Sequence, residues 1–161
     1  MLKIGQKLPD TKTLVVTENA QNSVRMANYL ADKTAAIFAM PGAFTATCSK
    51  SHLPNVIAHK TDLEGKGIDE VIILVVNDAF VVREWGRQSG AYDAGITMIA
   101  DAGSDFTKAI GMNFTATATG FYDRSQRYAL LSVNYVVSEF LLEEARSQVL
   151  SSGANHLLDR L

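Results

Sequence analysis

The chain has 161 residues, enough for one domain with a sizeable core. Hydrophobic residues make up 47% and charged residues 20%, which excludes a disordered or fibrous chain. Fifteen basic against seventeen acidic side chains leave a net charge of -2 with no long basic run, so neither nucleic acid nor an acidic membrane surface is an expected partner.

In chain order, the β-branched segment Thr11–Thr17 predicts a first strand, and Glu18–Asn22 a polar turn. Val24–Lys33 suits a short helix, followed by a strand over Thr34–Met40. Beyond Cys48 the spacing of Leu53, Val56, Ile57 and Leu63 predicts a helix ending at Gly65-Lys66-Gly67, kinked by Pro54. Val71–Val76 is a continuous apolar run, the pattern of a strand buried on both faces. Asn77-Asp78 reads as the cap of a helix carrying Ala79, Phe80, Val82 and Trp85. Ile96–Ala100 is another short strand, and Asp101–Ile110 a turn plus a helix, with Asp101 and Asp105 as caps. Tyr128–Val133 and Tyr135–Ser138 form a hairpin about Asn134, and Ser151–Arg160 closes the chain as an amphipathic helix with hydroxyl N-caps. This order predicts a single α/β domain over residues 1–161 with a thioredoxin-like fold. Its central mixed sheet carries helices on both faces and an N-terminal β-extension.

No apolar run approaches the roughly 18 residues of a spanning helix, and residues 1–9 resemble neither a signal nor a transit peptide. The expected location is cytoplasmic, although a chain already trimmed of a transit peptide reads the same way. Cys48 is the one cysteine, so no intramolecular disulfide can form. It falls where the strand Thr34–Met40 gives way, through a Pro41-Gly42 turn, to a helix. Free N–H groups and the positive end of the helix dipole favour a thiolate there, and the thiolate is the nucleophile. Thr45 stands three residues before Cys48 and His52 four after it, both at helical spacing for the same face. Pro41 has no N–H and can shield the sulfur from water. A cation is missing locally, and arginine suits that place because it stays charged and is forked. Taken alone, a lone cysteine is commonly a small buried hydrophobe. The junction, Pro41 and Thr45 together favour chemistry. His59 and His156 have no metal-ligand spacing, the glycines form no phosphate loop, and Trp85-Gly86-Arg87 reads as core or interface.

Pro41-x-x-x-Thr45-x-x-Cys48 resembles the active-site signature of peroxiredoxins, and PGAFTATCSKSHLP looks like their type-five (atypical) subfamily. The likeness extends to Ile4-Gly5 with Leu8-Pro9, to Val75–Phe80 with Glu84–Arg87, to Ile99-Ala100-Asp101 with Phe106, and to Arg127–Val133. It implies that Cys48 attacks a peroxide as thiolate and that Thr45 hydrogen-bonds thiolate and peroxide. Arg127, rather than neighbouring Arg124, would be the cation, and Pro41 would close the pocket. Gly42, Phe44, His52 and Leu53 would form its rim, with packing favoured over a proton role for His52. The substrates implied are hydrogen peroxide and organic hydroperoxides, with no bound cofactor and a homodimeric assembly. Two departures stand out. Ala46 replaces a frequent proline, and no resolving cysteine exists, so an external thiol must regenerate Cys48. Glutathione, with or without glutaredoxin, is favoured over thioredoxin. The competing readings are a peroxide-sensing relay or chaperone-like protein on the same fold, and a cysteine hydrolase, which would need an imidazole base.

Overall fold

Residues 2–161 are described by a computed structural model. Two strands come first, β1 (Lys12–Val16) and β2 (Gln21–Arg25), then helix α1 (Met26–Leu30) and strand β3 (Thr34–Ala39). A loop and one π-helical turn (Cys48–His52) lead into α2 (Leu53–Gly65), β4 (Glu70–Val75), α3 (Ala79–Gln88), β5 (Thr97–Ala100) and α4 (Asp105–Ala109). A hairpin of β6 (Asn113–Ala116) and β7 (Phe121–Ser125) then precedes β8 (Tyr128–Val133), β9 (Val136–Leu142) and α5 (Ala154–Leu158).

Seven strands form one mixed sheet in the order β2-β1-β5-β4-β3-β8-β9. The central β5, β4 and β3 are parallel, and β1 and β8 flank them antiparallel. Alternation along β3 sorts the core into two layers. Ala36 and Phe38 face Leu53, Val56, Val82, Trp85 and Leu157, the apolar side of α2, α3 and α5. Ala35, Ile37 and Ala39 face Leu30 of α1 and Phe106 of α4. Both faces of the central strands are therefore covered, which is why β4 reads as an unbroken apolar run. This is the expected thioredoxin-like layout, and Cys48 lies in the first layer.

Three local expectations need correction. Val24 belongs to β2, because the segment over 21–25 pairs antiparallel with β1; the helix that follows is only five residues long. Asn77 does not cap α3. Asp78 alone does, accepting from the N–H groups of Phe80 and Val81 at 2.9 and 3.1 Å. No serine hydroxyl caps α5, which begins after Gly153; instead Asn55 Oδ1 of α2 accepts from Ala154 N–H at 2.7 Å. The hairpin β6–β7 was not predicted at all.

Asp101 ties β5 to α4 as expected. Its buried carboxylate accepts from Phe106 N–H (3.2 Å), Thr107 N–H (2.8 Å) and Thr107 Oγ1 (2.7 Å). Asp101→Ala leaves these donors buried and unpartnered, so we expect a loss of about 3 kcal/mol in urea unfolding. A loss below ~1 kcal/mol would show that water takes over the cap.

Candidate active site

Several backbone contacts shape the loop that carries Cys48 out of β3. Met40 N–H donates to Leu74 O at 3.3 Å, prolonging the β3–β4 ladder. Asn77 Oδ1 accepts from Ala43 N–H at 2.9 Å, the use to which that side chain is put instead of capping. Phe44 holds φ +62, in the left-handed region that costs a non-glycine residue about 1–2 kcal/mol. Helical backbone begins at Ala46, and Ser49 N–H donates to Thr45 O at 2.9 Å, so Cys48 stands in the first turn. Leu53 N–H then reaches back five residues to Cys48 O. The irregularity expected at Pro54 thus appears as a π turn just upstream, where widening the spiral relieves a missing donor and a crowded carbonyl.

Cys48 is fully buried. Arg127, in the link between β7 and β8, lies against it with Nη2 donating to Sγ at 3.3 Å. The guanidinium is itself only 1% exposed and makes two more bonds: Nη1 to His52 Nδ1 at 3.0 Å, and Nε to the Arg146 carbonyl at 3.0 Å. His52 Nε2 lies 2.9 Å from the Ser152 carbonyl, which can only accept. Nε2 therefore carries the proton, and Nδ1 is the acceptor that holds Arg127. Burial first, and the Arg127 charge second, push the His52 pKa down to about 4, so the ring is neutral at pH 7.

Ser152 is fixed in turn by Glu143. That buried carboxylate accepts from the N–H groups of Leu150, Ser151 and Ser152 and from Ser152 Oγ, at 2.8 to 3.0 Å. Burial acts to raise the Glu143 pKa, but these donors outweigh it and hold the group below its ordinary value. Of the two serines predicted as helix caps, Ser152 thus gives its hydroxyl, and Ser151 its backbone N–H, to Glu143.

The His52 shift has a measurable consequence. In the unfolded chain histidine takes up a proton near pH 6.5, while in the fold it resists down to about 4. Stability is therefore complete above pH 6.5 and falls as the pH drops from there to 4, by about 3 kcal/mol at most. His52→Gln should flatten the urea-unfolding curve across that window, whatever it does to stability at pH 7. An unchanged slope would mean that His52 is not the titrating group.

A cleft of about 360 Å³ ends on this cluster, with Pro41, Thr45 and Arg127 on its inner side. Its outer wall comes from Phe114 and Phe121 of the hairpin and from Arg146. Thr45 Oγ1 donates to the Gly42 carbonyl at 2.8 Å rather than to sulfur, which leaves its lone pairs to face the cleft. Arg124 is the second cation. Its Nη1 donates to the Pro41 carbonyl at 3.0 Å and its guanidinium lies 4.9 Å from the Phe121 ring centre. Burial lowers its pKa, and the nearby Cys48 sulfur opposes that shift. Arg127, not Arg124, is hydrogen-bonded to Cys48.

The predicted rim is largely wrong. His52 and Leu53 are fully buried, the first holding Arg127 and the second packed in the core. Gly42 is buried beneath Arg124, where a Cβ would collide with Nη1. Phe44 is half exposed and lines a different cleft with Ser49, Trp85, Gln88 and Ser89. Trp85 is core, its Nε1 donating to Ser49 Oγ at 3.0 Å. The true outer wall, Phe114, Phe121 and Arg146, escaped sequence reasoning. Asn113–Ala116 and Phe121–Ser125, joined through the left-handed Gly120, carried the only signal for it. A hydrolase reading fails on geometry, because both His52 nitrogens are engaged away from Cys48.

Among the described residues no helix is long and apolar enough to cross a membrane. The family model described as Redoxin matches residues 3–157. Peroxiredoxin-2E-2, chloroplastic, of Oryza sativa is 38% identical over 161 residues, covering 97% of this chain and 71% of that protein. Peroxiredoxin-2D of Arabidopsis thaliana is 34% identical and covers 97% and 96%. The crystal structure of reduced Prx3 in complex with H2O2 from Vibrio vulnificus superposes with TM-score 0.90 at 37% identity, over the whole of both chains. Matched in sequence and in sheet from end to end, this chain belongs to the peroxiredoxin family of thiol peroxidases.

Proposed function

We propose that Cys48 is the peroxidatic cysteine of a one-cysteine, type-five-like peroxiredoxin acting on hydrogen peroxide and organic hydroperoxides. The observation that carries this reading is the 3.3 Å contact from Arg127 Nη2 to Cys48 Sγ at the end of a cleft. Three of the five guanidinium N–H groups are engaged by sulfur, His52 and the Arg146 carbonyl, so two are left for an incoming oxygen. Thr45, its hydrogen given to Gly42, accepts from the peroxide O–H, and Pro41 closes the inner end. The Vibrio protein named above holds hydrogen peroxide, which fits the same substrate here.

The thiolate attacks the terminal peroxide oxygen. An S–O bond forms as the O–O bond breaks, and sulfur loses two electrons to the peroxide. The departing alkoxide or hydroxide, stabilised by the Arg127 charge, takes up a proton and leaves as alcohol or water. Cys48 is left as sulfenic acid. With no second cysteine, one glutathione displaces water to give a mixed disulfide, and a second releases the thiol as glutathione disulfide. Because Cys48 is fully buried, its surroundings must open to admit the peroxide and, more widely, that thiol. Glutaredoxin is the favoured helper over thioredoxin, which reduces disulfides. The family resemblance further supports a homodimer, which sedimentation of the intact chain tests.

Peroxide consumption with glutathione alone, with glutathione plus glutaredoxin, and with thioredoxin tests the reductant. Turnover with the two glutathione systems is expected. Turnover with thioredoxin alone contradicts the glutathione step, and oxidation of Cys48 without turnover under any donor favours the sensor reading.

A further inference from the structure

The cleft is much larger than hydrogen peroxide needs. At about 30 Å³ per water of liquid, its 360 Å³ would hold roughly a dozen waters, or an organic group of comparable size. Its walls divide by chemistry. Phe114, Phe121 and Ala116 are apolar, Arg127 and Arg146 are cationic, and none of the described residues that line it carries a carboxylate. A chain of net charge -2 has nonetheless gathered these arginines, with Arg124, around one opening.

Arg127 is committed to Cys48 and His52. Arg146 is not matched in this way. Arg25 and Arg87 pair with Asp10 and Glu84, whereas no ion pair among the described residues uses Arg146. Its guanidinium lies over Phe114, with the carbon 4.0 Å from the ring centre, close enough for the planar group to lie along the ring. Stacking occupies the flat face of a guanidinium and leaves the in-plane N–H edge for a carboxylate. Its backbone is also fixed: Arg127 Nε holds the Arg146 carbonyl, and Thr47 Oγ1 donates to the Ser147 carbonyl at 3.3 Å.

We infer that Arg146, backed by Phe114, is a carboxylate receptor at the mouth of the cleft, selecting organic hydroperoxides that carry an anionic terminus. This deepens the peroxidase reading and rests on it. The hydrocarbon part lies along Phe114, Phe121 and Ala116, and the hydroperoxide end reaches Arg127 and Thr45. The chemical step is the displacement already written, with the corresponding hydroxy acid as product. A glutathione carboxylate offers the same chemistry. The hydroperoxide is favoured because the cleft already ends on Thr45 and Arg127, the groups that hold the peroxide oxygens in the proposed reaction.

The test is the single-turnover rate of Cys48 oxidation, followed by intact mass without any reductant. The probes are para-carboxycumene hydroperoxide and its methyl ester, with short ω-hydroperoxy alkanoic acids as a second series. The acid is expected to react about five- to tenfold faster than its ester at low ionic strength, the advantage shrinking with salt. Arg146→Gln should bring the acid-to-ester ratio close to one, and Arg146→Lys should keep part of it. Equal rates for acid and ester in both series, or a ratio that survives Arg146→Gln, overturn the receptor. A separate arm reduces peroxide-oxidised protein with glutathione. If Arg146→Gln slows that step and leaves the acid-to-ester ratio intact, the hydroperoxide assignment is wrong. Failure of every peroxide to oxidise Cys48 would instead defeat the peroxidase reading itself.

Discussion

Cys48→Ser is expected to abolish peroxide reduction, with the rate falling about 10⁴-fold or more, equivalent to ~5 kcal/mol or more of transition-state stabilisation. Serine keeps the position and a hydrogen-bond acceptor for Arg127. What it lacks is a soft anion at neutral pH that can take an oxygen atom and hold it as a reducible acid. No other cysteine stands in the chain to substitute. The fold should survive, because the oxygen still meets the guanidinium that now lies 3.3 Å from sulfur. Thermal unfolding followed by circular dichroism checks that the loss is chemical. A variant that remains folded and still consumes peroxide catalytically would remove Cys48 from the mechanism.

Replacing Arg127 should have the next largest effect. Arg127→Gln is expected to lower the second-order rate of Cys48 oxidation by about 10²–10³-fold, the scale of removing a fixed charge aimed at a developing anion. Arg127→Lys should recover only part of this. An ammonium can neutralise the sulfur, but it lacks the planar fork that meets sulfur, His52 Nδ1 and the Arg146 carbonyl together. Both variants leave buried acceptors less well matched, so stability must be measured beside the rate. Arg124→Gln is the discriminating control. That side chain bonds the Pro41 carbonyl rather than sulfur, so its loss should cost roughly tenfold at most. A larger loss for Arg124→Gln than for Arg127→Gln would reverse the assignment.

The reactive centre was legible in the sequence because its members are local or announced by patterning. Pro41, Thr45 and Cys48 lie within eight residues, and Arg127 directly precedes a mostly apolar strand. The parallel core strands were legible for the same reason, being short runs with no polar interruption. The rim was not. Helical spacing placed His52 on the face of Cys48, but it could not show that the Ser152 carbonyl, 100 residues away, would claim Nε2. Leu53 shares the buried apolar face with Val56 and Leu63, the same periodicity that predicted the helix. The outer wall failed differently. β6 alternates but is only four residues long, and β7 (Phe121–Ser125) lacks the apolar alternation by which a strand is read. Arg146 is held there by long-range contacts: Arg127 and Thr47 bond the carbonyls of its loop, and its side chain lies over Phe114.

The central claim is that one thiol, Cys48, carries the whole catalytic cycle and that another molecule restores it. Intact mass spectrometry of the full chain, treated with one equivalent of hydrogen peroxide and then with glutathione, tests this directly. Addition of one oxygen at Cys48 is expected, then replacement by one glutathione moiety at the same residue, then return to the starting mass with excess glutathione. Peroxide consumption that leaves Cys48 unoxidised throughout, or a sulfenic acid that glutathione never converts to a mixed disulfide, would contradict it.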